Sequence, residues 1–172
     1  MNEPTTHQIQ VRPATDRDFT ALIKIYNHYV VNSGATFDLE PVSTDSAAAF
    51  FGHYSHVGPH RLLVAARGGQ VVGYATSGQL RSRPAYNHSV EVTVYLDPNE
   101  AGRGIGSVLY QQLFDDLRAE ELHRAYAVIA LPNPASVALH RRFGFSEVGT
   151  MREVGRKHGR WWDVLWMERP LP

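Results

Sequence analysis

Residues 90–110, VEVTVYLDPNEAGRGIGSVLY, constrain this chain more than any other stretch. The stretch opens with strict alternation. Val90, Val92, Val94 and Leu96 point one way, and Glu91, Thr93 and Tyr95 point the other. That pattern predicts a β-strand with one apolar face and a carboxylate on the opposite face. Asp97-Pro98-Asn99 supplies turn chemistry. Gly102-Arg103-Gly104-Ile105-Gly106 follows as a glycine loop, and a helical stripe of Ile105, Val108, Leu109, Leu113 and Leu117 begins inside it. Strand, glycine loop and helix together make an anion site. The first helical amides lack intrahelical acceptors, the helix dipole makes that end positive, and glycine lets an anion approach the backbone. The spacing is neither the dinucleotide fingerprint G-x-G-x-x-G nor a P-loop ending in Gly-Lys-Ser/Thr.

Elsewhere the periodicities predict one further element after another. Residues 1–8 read as a loose N-terminus and residues 9–12 as a short strand closed by Pro13. Thr15 caps a helix reaching about Asn32, and Ser43 or Thr44 caps a second one over residues 47–54. Residues 61–67 and 70–76 form a hairpin about Gly68-Gly69. Residues 77–87 make an arginine-bearing loop. The glycine-loop helix runs to about Glu121, and the apolar run 125–131 reads as a strand buried on both faces. Asn133-Pro134 starts a helix that ends at Phe143-Gly144. Two last strands, 145–154 and 161–168, turn about Lys157-His158-Gly159. The order β-α-α-β-β-β-α-β-α-β-β predicts a mixed sheet in an α/β protein, with all 172 residues in one domain.

Composition narrows the partners. Seventeen basic residues balance seventeen acidic ones, so nothing points to nucleic acid or an anionic membrane. The absence of cysteine excludes disulfides, thiolate metal sites and a cysteine nucleophile. No apolar run reaches spanning length and no signal-peptide core opens the chain, so the expectation is a cytoplasmic protein. His53, His56 and His60 cluster, but Gly58-Pro59 breaks their helix and no carboxylate completes a zinc pattern; no metal is expected.

The glycine spacing resembles the pyrophosphate loop of the GNAT superfamily of N-acetyltransferases, Gln/Arg-x-x-Gly-x-Gly/Ala. Gly104 and Gly106 match it; Ala101 stands where Gln or Arg is usual, and Arg103 offers a replacement charge. Five blocks in series, VEVTVY (90–95), GIGSVLY (104–110), AVIALPNP (127–134), SVALHRRFGF (136–145) and KHGRWWD (157–163), resemble the phosphinothricin N-acetyltransferase branch, which includes methionine sulfoximine and methionine sulfone acetyltransferases.

That resemblance implies the GNAT fold, a mixed, mostly antiparallel sheet flanked by about four helices. It implies acetyl-CoA as co-substrate, a small amino acid as acceptor, and a homodimer that exposed Trp161-Trp162 could serve. Glu91 becomes the base for the substrate amine. Val94, Tyr95 and Leu96 line the pantetheine arm with Asn133 and Ser136, and Gly102, Arg103, Gly104, Ile105, Gly106 and Ser107 hold the pyrophosphate. His140 or Tyr95 supplies an acid for the leaving thiolate. Arg81 and Arg83, in the loop before Glu91, suit a substrate carboxylate, with Tyr86 beside them. Phe37, Lys157 and Trp161 close the acceptor cleft. Two other readings stand beside this one: the same fold acting on an aminoglycoside, polyamine or protein N-terminus, and a CoA-binding sensor without turnover.

Overall fold

A computed structural model describes residues 8–172. Seven strands form one mixed sheet in the order β1-β2-β3-β4-β5-β7-β6. They are β1 (Gln10–Pro13), β2 (Arg61–Arg67), β3 (Gln70–Gln79), β4 (Ser89–Leu96), β5 (Arg124–Leu131), β6 (Ser146–Lys157) and β7 (Arg160–Pro170). Four helices accompany them: α1 (Phe19–Asn32), α2 (Ala47–Phe51), α3 (Ile105–Leu117) and α4 (Pro134–Arg142). All neighbouring strands are antiparallel except β4 and β5. A parallel pair needs a crossover, and the glycine loop with α3 supplies it.

The alternation along β4 divides the core. Val90 and Val92 bury themselves with Leu109, Leu113 and Leu117 of α3 on one face of the sheet. Tyr95 faces the other cluster, where α1 and α2 pack Leu22, Ile23 and Phe51 on Val64 and Tyr74. At ~25 cal/mol per Å² of apolar surface removed from water, these two clusters hold α3 on one face of the sheet and α1 with α2 on the other.

Several boundaries differ from the sequence expectation. β3 continues to Gln79, because Ser77, Gly78 and Gln79 pair with Val92, Glu91 and Val90. The second helix ends at Phe51 rather than Tyr54, and α3 ends at Leu117 rather than Glu121. β5 is not buried throughout: Val128, in mid-strand, is exposed on the wall of a cavity. The last hairpin is longer than expected, and its turn is His158-Gly159, both at positive φ. Positive φ at both central residues matches a twisted two-residue hairpin turn. Residues 1–7, read as loose, lie outside the described residues.

The segment after α1 is clamped by that hairpin. A Cβ on Gly34 would sit 2.5 Å from the Trp162 ring, and one on Gly155 would clash with the Phe37 ring. Trp162 is itself fixed, its indole N–H donating to the Lys157 carbonyl at 3.0 Å and Arg160 stacked on it at 3.5 Å. Gly34→Ala is therefore expected to cost about 1–3 kcal/mol through overpacking. Urea unfolding midpoints of the two proteins check this; equal midpoints would remove the clamp.

Candidate active site

β4 and β5 stay together for three pairs, Ser89↔Arg124, Val90↔Ala125 and Glu91↔Tyr126, and then part. Beyond that point β4 is held only by β3, and β5 only by β7. A cavity of about 680 Å³ opens between them. In β4, residues whose N–H and C=O groups bond β3 alternate with residues whose groups face away. Val94 thus presents a backbone donor and an acceptor to the gap, and Val92 presents its carbonyl. Leu96 does too, but its carbonyl already accepts from the Tyr29 hydroxyl at 2.7 Å.

Glu91 sits at the last pair, half-buried on the cavity wall. Burial raises its pKa above the usual carboxylate range, and the Arg81 charge opposes that rise. Arg81 lies over the Trp166 ring at 5.2 Å. Opposite Glu91 on β3 is Gly78, beside the Tyr54 hydroxyl. Tyr26, Tyr29, Tyr54, Tyr74 and Tyr95 line the same cavity. Tyr95 packs against Tyr26, Tyr29 and Tyr74 with ring centroids 5.1–5.6 Å apart, and donates to the Ala35 carbonyl at 3.2 Å. The sequence analysis did not single out Tyr26, Tyr29, Tyr54 or Tyr74, and all four are cavity walls. Their hydroxyls were the available signal, since a purely apolar core has no use for them.

At the other end of the cavity, Gly104 adopts φ 78° as the residue preceding α3. That left-handed conformation favours glycine. Among the described residues, the amides of Arg103, Gly104, Ile105 and Gly106 find no backbone acceptor, whereas those of Ser107 and Val108 bond Gly104. Gly102, Gly104, Gly106 and Ser107 line the cavity. Ile105 contributes only backbone, since its side chain is buried in the core under α3. Arg103 is exposed and pairs with Glu100 at 3.4 Å.

Across the gap, Asn133 caps α4, its side-chain oxygen accepting from the Ser136 amide at 3.1 Å. This leaves the side-chain N–H₂ of Asn133 for the cavity it lines. His140 is buried, with Nδ1 2.8 Å from the Ser136 carbonyl and Nε2 2.8 Å from the Tyr110 hydroxyl. A carbonyl only accepts, so Nδ1 carries the proton and Nε2 accepts from Tyr110. Burial also pulls the His140 pKa down. The ring is neutral and both nitrogens are engaged inside the protein.

Five of the six expected acceptor residues do not line the cavity. Lys157 is buried at 4% exposure, and its amine donates to the Thr36 carbonyl at 2.7 Å. Burial lowers its pKa, with Asp38 opposing; it straps the last hairpin to the segment after α1. Trp161 is 58% exposed on the outside of β7. Arg81, Arg83 and Tyr86 are exposed and off the cavity wall, and of the three only Arg81 acts on the charge of Glu91. Phe37 does line the cavity.

Residues 11–166 match the family described as acetyltransferase (GNAT) domain. The chain belongs to the GNAT acetyltransferase family. This acetyltransferase is similar to the phosphinothricin N-acetyltransferase of Streptomyces coelicolor, 54% identical over 98% of this chain and 99% of that one. It is also similar to the L-methionine sulfoximine/L-methionine sulfone acetyltransferase of Pseudomonas aeruginosa, 36% identical over 94% of each chain. The crystal structure of a phosphinothricin acetyltransferase from Sinorhizobium meliloti in complex with AcCoA superposes with a TM-score of 0.84, at 35% identity, covering 95% of this chain and 88% of that one. The fold is thus the GNAT fold expected from the sequence.

The hydrogen bonds of the acetyltransferase predict the state of His140. Nitrogen-15 NMR at neutral pH is expected to show the neutral tautomer protonated at Nδ1. An imidazolium signal there would contradict this geometry.

Proposed function

We propose that this acetyltransferase moves an acetyl group from acetyl-CoA to the α-amine of a glutamine-like amino acid: methionine sulfoximine, methionine sulfone or phosphinothricin. The observation that carries the reading is Glu91 at the parting of β4 and β5, with Arg81 as its neighbouring charge. An α-amino acid carries an ammonium and a carboxylate a few ångströms apart, and Glu91 with Arg81 offers the complementary pair. Glu91 is the one carboxylate among the described residues lining the cavity, so a polyamine or aminoglycoside would find little to balance its several charges. The printed names of the two curated relatives point to the same class of acceptor.

The donor reading rests on this chain's own backbone. The unpaired amides of residues 103–106 at the head of α3 suit a pyrophosphate, and the gap-facing groups of Val94 with the Asn133 side-chain amide suit the amides of a pantetheine arm. When bound, acetyl-CoA supplies an acetyl group activated as a thioester. Glu91, held at a raised pKa, accepts the proton of the substrate ammonium, directly or through water. Arg81 fixes the carboxylate, and the tyrosine wall keeps bulk water away from the amine. His140 and Tyr95 serve as positioning residues, since each already spends its hydrogen bonds on the protein. An acid matters less here, because a thiol of ordinary pKa about 8.5 leaves readily as thiolate.

In this reading the whole chain is one catalytic domain working in the cytoplasm to neutralise a toxic amino acid. It is a homodimer through the β6–β7 edge, where Val148, Met151, Val154 and Trp161 are exposed. Among the described residues, no helix is long and apolar enough to cross a membrane.

Glu91→Gln keeps the shape and removes the base, so kcat/KM should fall ~10²–10⁴-fold with acetyl-CoA affinity unchanged; an unaltered rate would dismiss Glu91. Arg81→Ala should mainly raise KM for the amino acid, since a carboxylate contact is made equally in ground and transition states. The same change removes the charge that holds the Glu91 pKa down. The acidic limb of kcat/KM should therefore move to higher pH, and a limb that moves lower or stays fixed would separate the two residues. In steady-state kinetics, methionine sulfoximine and methionine sulfone should be acetylated faster than methionine, polyamines or aminoglycosides. A faster polyamine or aminoglycoside would overturn the acceptor assignment while leaving the donor site intact.

A further inference from the structure

The face of the sheet that carries Glu91 continues sideways onto β5 and β7. Glu91 lies beside Tyr126 of β5, and Val128 lies opposite Trp166 of β7. Neighbours in register across a sheet share a face, and so do residues two apart along a strand. Glu91, Tyr126, Val128 and Trp166 therefore point to one side of the sheet. Val128 is exposed there and lines the cleft. Trp166 is half-buried, its ring edge-on to Tyr126 with centroids 6.5 Å apart. Arg81 reaches this row from the loop between β3 and β4, and its side chain is exposed. Among the described residues its guanidinium donates to the Leu80 carbonyl at 3.0 Å and pairs with no carboxylate. A long side chain on an exposed loop has many rotamers open to it. Here the guanidinium lies over the Trp166 ring, 5.2 Å from its centroid.

An indole face attracts a guanidinium and leaves its N–H groups free for a carboxylate. From that place the Arg81 charge opposes the rise in the Glu91 pKa. Glu168, two residues beyond Trp166, is paired with Arg124 at 3.5 Å and does not draw Arg81 away. Among the described residues no aromatic ring lies under Arg83. We propose that Trp166 is a positioning residue for acetyl transfer, its ring holding the Arg81 guanidinium where Glu91 and Arg81 together meet the two charged ends of an α-amino acid. This rests on the reading of Arg81 as the carboxylate partner and deepens it, by assigning the residue that makes a loop arginine an ordered one. Trp166 itself touches no reacting atom in this assignment.

Steady-state kinetics with methionine sulfone across a range of pH test this on the wild type, Arg81→Ala, Trp166→Leu, Trp166→Phe and the double variant Arg81→Ala/Trp166→Leu. Trp166→Leu keeps an apolar side chain on β7 and removes the ring face. KM should rise about two- to fivefold, the range of an exposed cation–π contact, with kcat nearly unchanged. The acidic limb of kcat/KM should move to higher pH, because a guanidinium that leaves Glu91 no longer holds its pKa down. Tyr54 and Tyr110 also sense Glu91, but burial raises both above the usual phenol range, so they stay neutral across that limb. Trp166→Phe keeps a ring and should bring KM back to within about twofold of wild type. In the double variant the loss of Trp166 should add nothing to Arg81→Ala. The assignment is overturned if Arg81→Ala raises KM while Trp166→Leu does not, if Trp166→Leu lowers kcat instead or leaves the limb in place, if Trp166→Phe is no better than Trp166→Leu, or if the two losses add. An Arg81→Ala protein with unchanged KM would overturn the carboxylate reading itself, and the role of Trp166 with it.

Discussion

The separation of two parallel strands governs this molecule. β4 and β5 share three residue pairs and then follow different partners. Backbone groups in a folded interior are almost always paired, so an internal strand with unpaired groups facing its neighbour marks a place for something else to bind. Val92 and Val94 are in that position. A wider contact between β4 and β5 would close the cavity and bury Glu91 without access. A narrower one would detach the half-sheet of β5, β7 and β6. The parting also fixes the chemistry. Glu91 stands at the fork with core on one side of its strand and a partly dry cleft on the other, and that burial raises its pKa.

The walls of the cleft come from distant parts of the chain and are held by specific pairings. α1 brings Tyr26 and Tyr29 to Tyr95 of β4. The segment after α1 is pinned by the last hairpin through Lys157 on Thr36, Trp162 on Gly34 and Gly155 beneath Phe37. Lys157 illustrates the energetics. A buried amine is costly unless its hydrogens are accepted, and two backbone carbonyls do that here. The hairpin therefore shapes the acceptor end of the cleft from behind, through packing, rather than by offering side chains to it.

Much of this was legible in the sequence because the signals were local. The alternation of residues 90–96 predicted β4, and the glycine loop with its apolar stripe predicted where α3 starts, although the helix ends at Leu117 rather than Glu121. The Asn133-Pro134 start of α4 was equally direct. What was not legible depends on tertiary placement. Lys157 and Trp161 are neighbours in sequence on one hairpin, yet one is buried and the other is exposed. Turn chemistry does not say which face of a hairpin meets the rest of the protein. Arg81 and Arg83 are equivalent as sequence, but only the first acts on the charge of Glu91. Tyr26 and Tyr29 were not singled out because they share the helical spacing of the core residues Leu22 and Ile25. Ala101 departs from the family's loop pattern, and the structure shows it on the cavity wall beside unpaired backbone amides rather than replaced by the Arg103 charge, which pairs with Glu100.

The central claim is that the gap between β4 and β5 is where donor and acceptor meet, with Glu91 at its closed end. A crystal structure of the protein with coenzyme A and methionine sulfone tests it most directly. The account predicts pantetheine amides bonded to the backbone of Val92 and Val94, and the α-amine within hydrogen-bond reach of Glu91, directly or through one water. A pantetheine arm lying outside the gap, or an amine placed away from Glu91, would contradict it.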